Sequence, residues 1–456
     1  MSSTANRTPI DLVRQTCAAI RATLDDDRAI ALDRVDSVLA LLAAEQRELR
    51  TLGEQTAHRY YGLQERPEPL PFDQALRAVN DRIASGPALS TPAAHAAASR
   101  ALAIETDYWR HYTDLVHAQV RKSAAKREGP KDDGFDVARL QRYLRETFGE
   151  PELEIEATSL ASRGFSKKTY FASLRHAPGL PRELALRVDQ PFNYLGTTVR
   201  DEFPVLCHLW EHGVKVPQPL ALESSGDVLR QPFIVFPRVG GVLVGNNFDY
   251  PKPNDALIED IARHFAALHA VPIAGKPGAD EHLVAANLSR LVDKFYADWK
   301  ATGAASPIVE AAFKWIRENL HLGITTPSYV HSDMNFNNML IDGDRVEAIV
   351  DWEFVHVGSA ACDLGYFHYA AEAVAGFDRF LAAYERAGGR RFPRETLDFY
   401  ILWGQLKLTI MSFQVVTGFN AGQFDDIRYG LAGIHFLPVT QLRVGNKLAE
   451  LLGSAE

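Results

Sequence analysis

The spacing of apolar residues changes twice along this 456-residue chain, and that change limits the fold more than any other feature. Up to about residue 120 the apolar positions recur at helical spacing, as in Tyr108, Tyr112 and Leu115. Between 153 and 236 they alternate in short runs bounded by turn residues, which predicts β-strands. From Asn254 the helical spacing returns. This order predicts an α+β protein with more than one domain.

The strand-rich region predicts a five-stranded sheet with one inserted helix around 197–212. An amphipathic helix, Val137 to Phe148, precedes it. The segment 121–134 has only alanines and one proline as apolar residues, which is typical of a solvated linker. We therefore predict an all-helical amino-terminal domain over 1–120, a linker over 121–134, a β-rich lobe over 135–238 and a helical lobe over 239–456, the last with a small β-loop-β unit near 328–351.

Composition and charge exclude several classes of protein. A net charge of -9 argues against a nucleic-acid partner, because such partners require a basic surface. The three cysteines lie far apart, which predicts free thiols in a reducing compartment. Neither a leader sequence nor a run of about 18 apolar residues is visible, so we expect a cytoplasmic protein with no membrane partner.

Polar residues that could act in catalysis or bind a metal are concentrated between 329 and 353. Two apolar strands flank a loop that carries His331, Asp333 and Asn338, and a third strand ends at Asp351. Phosphoryl transfer needs a carboxylate beside the attacking hydroxyl and oxygen ligands for magnesium. Asp333 can supply the first, and Asn338 with Asp351 can supply the second. A zinc site is disfavoured, because no second histidine follows His331 at the spacing that zinc sites use.

The order H-x-D-x-x-x-x-N, with an aspartate 18 residues after Asp333, resembles the aminoglycoside phosphotransferase family and, more distantly, protein kinases. The resemblance covers about 135–456. It implies a bilobal protein-kinase-like fold, with a β-rich N-lobe and a helical C-lobe, and ATP and Mg²⁺ as cofactors. It also implies that Asp333 is the catalytic base or the carboxylate that orients the hydroxyl, that His331 supports its loop, that Asn338 and Asp351 bind magnesium, and that Asp363 braces the loop.

By the same resemblance, the first hairpin of the β-rich lobe covers the phosphates. It contains Gly164, Ser166 and Lys167, whose backbone N–H groups can cradle an anion. One glycine is also typical of an ordinary hairpin turn, so that alternative stays open. Lys167 and its neighbour Lys168 are either a phosphate contact or a pair of solvated lysines.

Arg187 lies on the predicted third strand, where the family places a basic residue for the α- and β-phosphates. Glu202 is its expected partner, and the alternative is that Glu202 is only a first-turn acid that favours the helix dipole. If the helix begins near Glu202, Pro204 lies in its first turn, where proline is tolerated. Phe236 and Val239 belong to the segment expected to join the lobes and to wall the adenine site.

The predicted function is transfer of the ATP γ-phosphoryl group to a hydroxyl of a small molecule. The segment from Gly376 to Glu456 contains eight acidic residues and nine lysines and arginines, so it has no acidic surplus. This balance favours a neutral or anionic acceptor, such as a hydroxyacyl thioester, over a polycation. The alternatives are an aminoglycoside resistance enzyme and a nucleotide-binding pseudokinase that acts as an interaction module. A protein kinase is disfavoured, because only a dozen residues separate Asp351 from Asp363. The first 120 residues carry no motif; homodimerisation, covering the acceptor and binding a partner are three open roles for them.

Overall fold

A computed structural model describes residues 51–59, 72–120, 136–161, 167–190, 197–245, 250–275, 279–422 and 427–453. The predicted linker 121–134 and the first 50 positions of the predicted amino-terminal domain lie outside the described residues. Among the helices in the described ranges, none combines the length and the apolar character needed to span a bilayer.

The chain divides into two compact units, and the first contains residues 1–124, 303–314 and 415–456. Its described elements are a helical segment over 51–59, α1 (Phe72–Ser85) and α2 (Pro92–Val120), with α11 (Ile427–Leu451) packed along α2. The sequence-based boundaries had assigned 303–314 and 415–456 to the helical lobe. An amphipathic pattern shows that one face of a helix is buried, but it does not identify the partner of that face.

A buried carboxylate holds the interior of the first unit. Glu105 on α2 accepts hydrogen bonds from the Ser306 hydroxyl at 2.6 Å, the Ile308 N–H at 2.7 Å and the Gln441 amide at 3.2 Å. Glu105 and these partners together come from the three separate stretches of chain that form this unit. Burial outweighs the hydrogen bonds and raises the pKa of Glu105 to about 7.

The second unit, residues 125–302 and 315–414, begins with α3 (Val137–Phe148), at the predicted position. Asp136 caps this helix by accepting from the Arg139 N–H at 3.0 Å, and Gly149 ends it in the left-handed conformation, with φ of 68°. Leu140 and Leu144 on its apolar face are fully buried against one side of the following sheet.

That sheet has the five predicted strands: β1 (Glu154–Leu160), β2 (Lys167–Arg175), β3 (Glu183–Asp189), β4 (Ala221–Glu223) and β5 (Phe233–Pro237). Their order is β1-β2-β3-β5-β4, and all neighbouring pairs are antiparallel. In β3 the alternate residues Leu184, Leu186 and Val188 enter the core beneath α3. Arg187 therefore points to the other face, towards α4 (Val199–Glu211).

Helices dominate the rest of the second unit, as predicted. In α5 (Asp255–His269) the residues Leu257, Ile261, Phe265 and Leu268 form a buried stripe at helical spacing. The other helices of this unit are α6 (Glu281–Ala301), α8 (Ala361–Val374), α9 (Phe377–Arg386) and most of α10 (Arg394–Asn420). The helix α7 (Pro307–Glu318) belongs mostly to the first unit.

Two small sheets carry the segment that contains the H-x-D motif. One pairs β7 (Pro327–Val330) with β10 (His356–Ser359), and the other orders β6 (Val242–Leu243), β8 (Met339–Asp342) and β9 (Arg345–Ile349) as β6-β8-β9. Gly241 permits the approach of β6, because its φ is 90° and a Cβ there would lie 3.0 Å from the Ile341 nitrogen. The motif loop thus lies between two strands that belong to different sheets.

Candidate active site

The loop from His331 to Asn338 follows β7 directly and is fixed by Asp363 of α8. One carboxylate oxygen of Asp363 accepts from the His331 N–H at 2.9 Å, and the other accepts from the Ser332 N–H at 2.6 Å. The His269 Nε2 lies 3.1 Å from the same carboxylate. Burial alone would raise the pKa of Asp363, but the hydrogen bond and charge of His269 lower it overall. Asp363 is thus in the bracing position that the family resemblance implied.

His331 is fully buried and lies inside the loop. Its Nε2 is 2.9 Å from the Val350 carbonyl oxygen, and its Nδ1 is 3.3 Å from the Asp333 nitrogen. A neutral ring with the proton on Nε2 satisfies both contacts, because it donates to the carbonyl and accepts from the amide. The ring also packs against Trp352, with centroids 4.6 Å apart. These contacts favour loop support as the role of His331.

Asp333 is half-buried, and its carboxylate is held by a neighbour in the same loop. The Asn338 amide donates to both the backbone oxygen and Oδ2 of Asp333, at 2.8 Å each. Burial raises the pKa of Asp333, and the negative charge of Asp351 raises it further, against the hydrogen bonds from Tyr366 and Asn338. Asp333 and Asp351 therefore repel each other across this site.

Asp351 follows β9 in the left-handed conformation, with φ of 68°. Its Oδ1 lies 2.5 Å from the Arg187 Nη2. Burial opposes ionisation, but the charge and hydrogen bond of Arg187 lower the pKa of Asp351, so it is a carboxylate. The Asn338 Oδ1 accepts from the Asn337 amide at 3.0 Å, and the Asn338 backbone oxygen accepts from the Val350 N–H at 2.9 Å. The structure thus brings Asn338 next to the segment that ends in Asp351.

The face of the five-stranded sheet opposite α3 carries a cluster of buried charges. The Glu202 carboxylate pairs with Arg187 Nε at 3.2 Å and with Lys167 Nζ at 2.7 Å. Glu353, two residues after Asp351, pairs with Lys167 at 3.4 Å and with Arg187 at 3.5 Å. The cluster therefore contains two cations and, with Asp351, three carboxylates. The expected pairing of Glu202 with Arg187 is present.

The structure rules out one of the alternatives for Lys167, that it is a solvated lysine. Its side chain is only 1% exposed, because the first residue of β2 points inward and finds two carboxylates there. Sequence reasoning also missed Glu353. The signal for it was available: a second acid two positions after Asp351 at the end of a buried strand.

The helix that carries Glu202 lies at the predicted position, about 197–212, and it starts too early for Pro204 to fall in the first turn. It begins at Val199, whose N–H donates to Asp189 at 3.1 Å, while the Asp201 carboxylate accepts from the Thr198 N–H at 2.9 Å. Pro204 consequently lies in the second turn, and the hydrogen bond that its missing N–H would make is lost. The reason is the strong capping by the two aspartates, which outweighs that single lost bond.

The remaining predicted nucleotide residues are placed only in part. Phe236 is buried in β5, and Val239 is half-buried just after it. Gly164 and Ser166 lie outside the described residues.

The donors at this site suit a magnesium nucleotide. Asp351 and Asn338 offer a carboxylate and an amide oxygen, and Mg²⁺ in phosphoryl-transfer sites is commonly held by one or two such side chains together with phosphate oxygens. The repulsion between Asp333 and Asp351 is of the kind that a divalent cation relieves. Arg187, with a pKa raised above its ordinary value by the three surrounding carboxylates against the effect of burial, is a permanent cation.

Comparisons with known proteins agree with this geometry. Residues 158–400, over half of the chain, match the family described as "Phosphotransferase enzyme family". A crystal structure from Ralstonia eutropha JMP134, assigned to the aminoglycoside phosphotransferases, is 18% identical with a TM-score of 0.51, covering 69% of this chain and 99% of that one. Macrolide 2'-phosphotransferase type I is also similar, at 18% identity and a TM-score of 0.47, covering 67% and 98%.

Two curated relatives have other names. "Probable acyl-CoA dehydrogenase IBR3" of Arabidopsis thaliana is 25% identical over 280 residues, which are 52% of this chain and 33% of that protein. "Acyl-CoA dehydrogenase family member 11" of Homo sapiens is 24% identical over 252 residues, 51% of this chain and 31% of that protein. The chain spans about a third of the length of these relatives.

The predicted family and the predicted bilobal α+β fold are both confirmed. The sheet with its Lys167, Arg187 and Glu202 cluster lies largely within the matched residues, as does the loop from His331 to Asp351. The chain belongs to the phosphotransferase enzyme family.

Proposed function

We propose that this chain is an ATP- and magnesium-dependent O-phosphotransferase that acts on a hydroxyl of a small neutral or anionic molecule, with a hydroxyacyl thioester as the leading acceptor class. The observation that carries the proposal is the proximity of Asp333, Asn338 and Asp351, with Arg187 paired to Asp351 at 2.5 Å. These groups supply a base, oxygen ligands and a phosphate-binding cation in one place.

Each residue has a separate role in the proposed reaction. Magnesium-ATP, when bound, supplies the γ-phosphoryl group and the divalent charge. Asp351 and Asn338 would hold the metal, and Arg187, steadied by Glu202, would hold phosphate oxygens. Asp333 would orient the acceptor hydroxyl and take its proton as the acceptor oxygen bonds to the γ-phosphorus. The bond from that phosphorus to the bridging oxygen of ADP breaks, and ADP leaves. The Asn338 amide keeps the Asp333 carboxylate in one orientation, since it donates to Oδ2 at 2.8 Å.

The charge of the carboxy-terminal part of the second unit supports the acceptor class. Between Gly376 and Gln414 there are four acids against six basic residues. Three of the four acids, Asp378, Glu385 and Asp398, lie within 4.0 Å of an arginine of the same segment. A site that binds a polycation needs unpaired carboxylates, whereas this segment has a basic surplus.

The names of the curated relatives point in the same direction. Both are named as acyl-CoA dehydrogenases, and this chain matches about a third of each. Acyl-CoA dehydrogenases act on acyl thioesters, so a phosphotransferase related to a segment of such proteins is a reasonable candidate for hydroxylated acyl thioesters.

The test is ADP release by the purified chain with three acceptor classes: hydroxyacyl-CoA thioesters, neutral alcohols of similar length, and kanamycin-type aminoglycosides. We expect saturable release with the thioesters and none above the acceptor-free rate with the aminoglycosides. Mass spectrometry of the product should show one added phosphoryl group on the acyl hydroxyl. Saturable phosphorylation of aminoglycosides at micromolar concentration would overturn the acceptor class and restore the resistance-enzyme alternative.

A further inference from the structure

A buried lysine from a distant helix reaches the loop that carries the proposed base. Lys407 lies in the middle of α10, in a run that is otherwise almost entirely apolar, and it is only 5% exposed. Its Nζ donates to the Ser332 carbonyl oxygen at 3.1 Å and to the Ser332 hydroxyl at 2.5 Å. Within the described residues no carboxylate oxygen lies within 4.0 Å of this ammonium.

The absence of a carboxylate partner distinguishes Lys407 from Lys167, which is equally buried but has two. Taking an ammonium out of water costs several kcal/mol unless nearby groups compensate for it. At Lys407 the compensation comes from the two Ser332 oxygens and from the face of Tyr366, whose ring centroid is 5.7 Å from Nζ. Both hydrogen bonds of the Lys407 ammonium are therefore made to one residue of the loop, Ser332.

That residue has an unusual backbone conformation. Ser332 has φ of 67°, in the left-handed region that non-glycine residues rarely occupy and that persists only when the surroundings enforce it. Asp363 holds the Ser332 N–H at 2.6 Å from one side. Lys407 holds the carbonyl oxygen and the hydroxyl from the other side. The two contacts together fix the peptide groups on both sides of the Ser332 Cα.

The next residue in the chain is Asp333. A change in the ψ angle of Ser332 would rotate the Ser332–Asp333 peptide and move the Asp333 carboxylate away from the Asn338 amide, which donates to it. The contacts of the Lys407 ammonium with Ser332 therefore bear on the orientation of one carboxylate.

We propose that Lys407 is a positioning residue for phosphoryl transfer: its ammonium holds Ser332 in the left-handed conformation and thereby aims the Asp333 carboxylate at the acceptor hydroxyl. The inference rests on the proposed function, since it assigns to Asp333 the role of base. It adds a residue from α10 to a site that is otherwise built from the sheet, the motif loop and α8. Misplacing a reacting group by about 1 Å can reduce a rate by about 10²-fold.

The test compares two substitutions on the same helix. Lys407→Met removes the ammonium and keeps a side chain of similar length. Thr409→Val is the matched control, because Thr409 is also fully buried in α10 but its hydroxyl donates to Gln405 of its own helix, at 2.8 Å. Lys407→Arg keeps the charge and serves as the rescue variant. Three quantities are measured: kcat with the acceptor, the Kd of magnesium-ATP, and hydrogen exchange of the amides of residues 331–334.

We expect Lys407→Met to lower kcat by about 10- to 10²-fold, to leave the Kd of magnesium-ATP within about twofold, and to speed exchange of the loop amides. Lys407→Arg should recover part of the lost rate, and Thr409→Val should match the parent in all three. An unchanged kcat or unchanged loop exchange in Lys407→Met overturns the proposal, and so does an equal loss in Thr409→Val.

A failure of the proposed function would look different. It would leave the parent without acceptor-dependent ADP release. Loop exchange would still decide whether Lys407 holds Ser332: faster exchange in Lys407→Met, with Thr409→Val unchanged, supports the clamp, and equal exchange in both rejects it.

Discussion

The guanidinium of Arg187 lies 2.5 Å from the carboxylate of Asp351, so the side chain proposed to hold phosphate and the side chain proposed to hold magnesium contact each other directly. The two come from β3 and from the end of β9, which lie 164 residues apart in the chain. This contact pairs two opposite charges, both of which are proposed to contact a magnesium nucleotide. Ligand binding would therefore change the partners of both residues.

Asp351→Asn should remove most of the increase in ATP affinity that magnesium produces. An amide cannot supply the negative charge that the metal needs, so we expect magnesium-ATP affinity to fall by at least about tenfold, with little change in affinity for ATP measured in EDTA. Isothermal titration with and without magnesium measures both values. Asp342→Asn, the same change at an exposed acid in the β8–β9 turn, is the control and should match the parent. Equal magnesium-ATP affinity in Asp351→Asn and the parent would rule out the metal assignment.

Arg187→Ala should weaken ATP binding and lower turnover together. Charge-assisted hydrogen bonds contribute about 1.5 to 3 kcal/mol, so a loss of about tenfold or more in ATP affinity is expected. Arg175→Ala, at an exposed arginine on neighbouring β2, should bind ATP like the parent. The measurement is titration of ATP by the change in tryptophan fluorescence or by calorimetry. Unaltered ATP affinity in Arg187→Ala would exclude a phosphate-binding role.

Lys167→Met tests whether the buried charge cluster stabilises the second unit. The substitution leaves Glu202 and Glu353 without one of their two cations, and removal of one partner from a buried pair costs about 3 to 5 kcal/mol. Lys168→Met, at the half-buried neighbour, should cost under about 1 kcal/mol. Urea denaturation followed by circular dichroism gives both free energies of unfolding. Equal losses for the two variants would contradict the arrangement described for the cluster.

The outcome for Lys167 shows which parts of the site a sequence can reveal. His331, Asp333 and Asn338 lie within eight residues, so their spacing alone predicts a common loop. Lys167 meets Glu353 across 186 residues, and nothing local in either segment signals the other. The position of Pro204 in the second turn of α4 has a similar cause, since the carboxylate of Asp189, ten residues upstream, accepts from the Val199 N–H at the start of that helix. Partners of buried charges are decided by tertiary packing, which periodicity does not encode.

In the first unit, tertiary packing likewise decides the partners of the buried Glu105. The pKa of this residue leads to a pH-dependent prediction. Its pKa rises from 4.5 in a model peptide to about 7 in the folded protein, so folding favours the protonated form. The contribution of Glu105 to the free energy of unfolding is fully present below pH 4.5 and is lost as the pH rises through about 7. A pKa shift of this size corresponds to about 3 kcal/mol.

Glu105→Gln should remove that part of the pH dependence, because the amide does not ionise. Free energies of unfolding at pH 5 and pH 7.5, from urea denaturation, measure the slope in each variant. Glu54→Gln, an exposed glutamate in the helical segment 51–59, should keep the slope of the parent. A slope that is identical in Glu105→Gln and the parent would show that Glu105 is ionised throughout this range.

The most direct test of the central claim is the turnover of Asp333→Asn with the acceptor that the parent uses. Removal of a positioned acid–base group typically costs about 10² to 10⁴ in rate, so we expect kcat to fall by at least about 10²-fold while the Kd of magnesium-ATP stays within about threefold. Asp342→Asn should keep the parent rate. If Asp333→Asn turns over the acceptor at the parent rate, Asp333 is not the base, and the proposed phosphotransfer mechanism is contradicted.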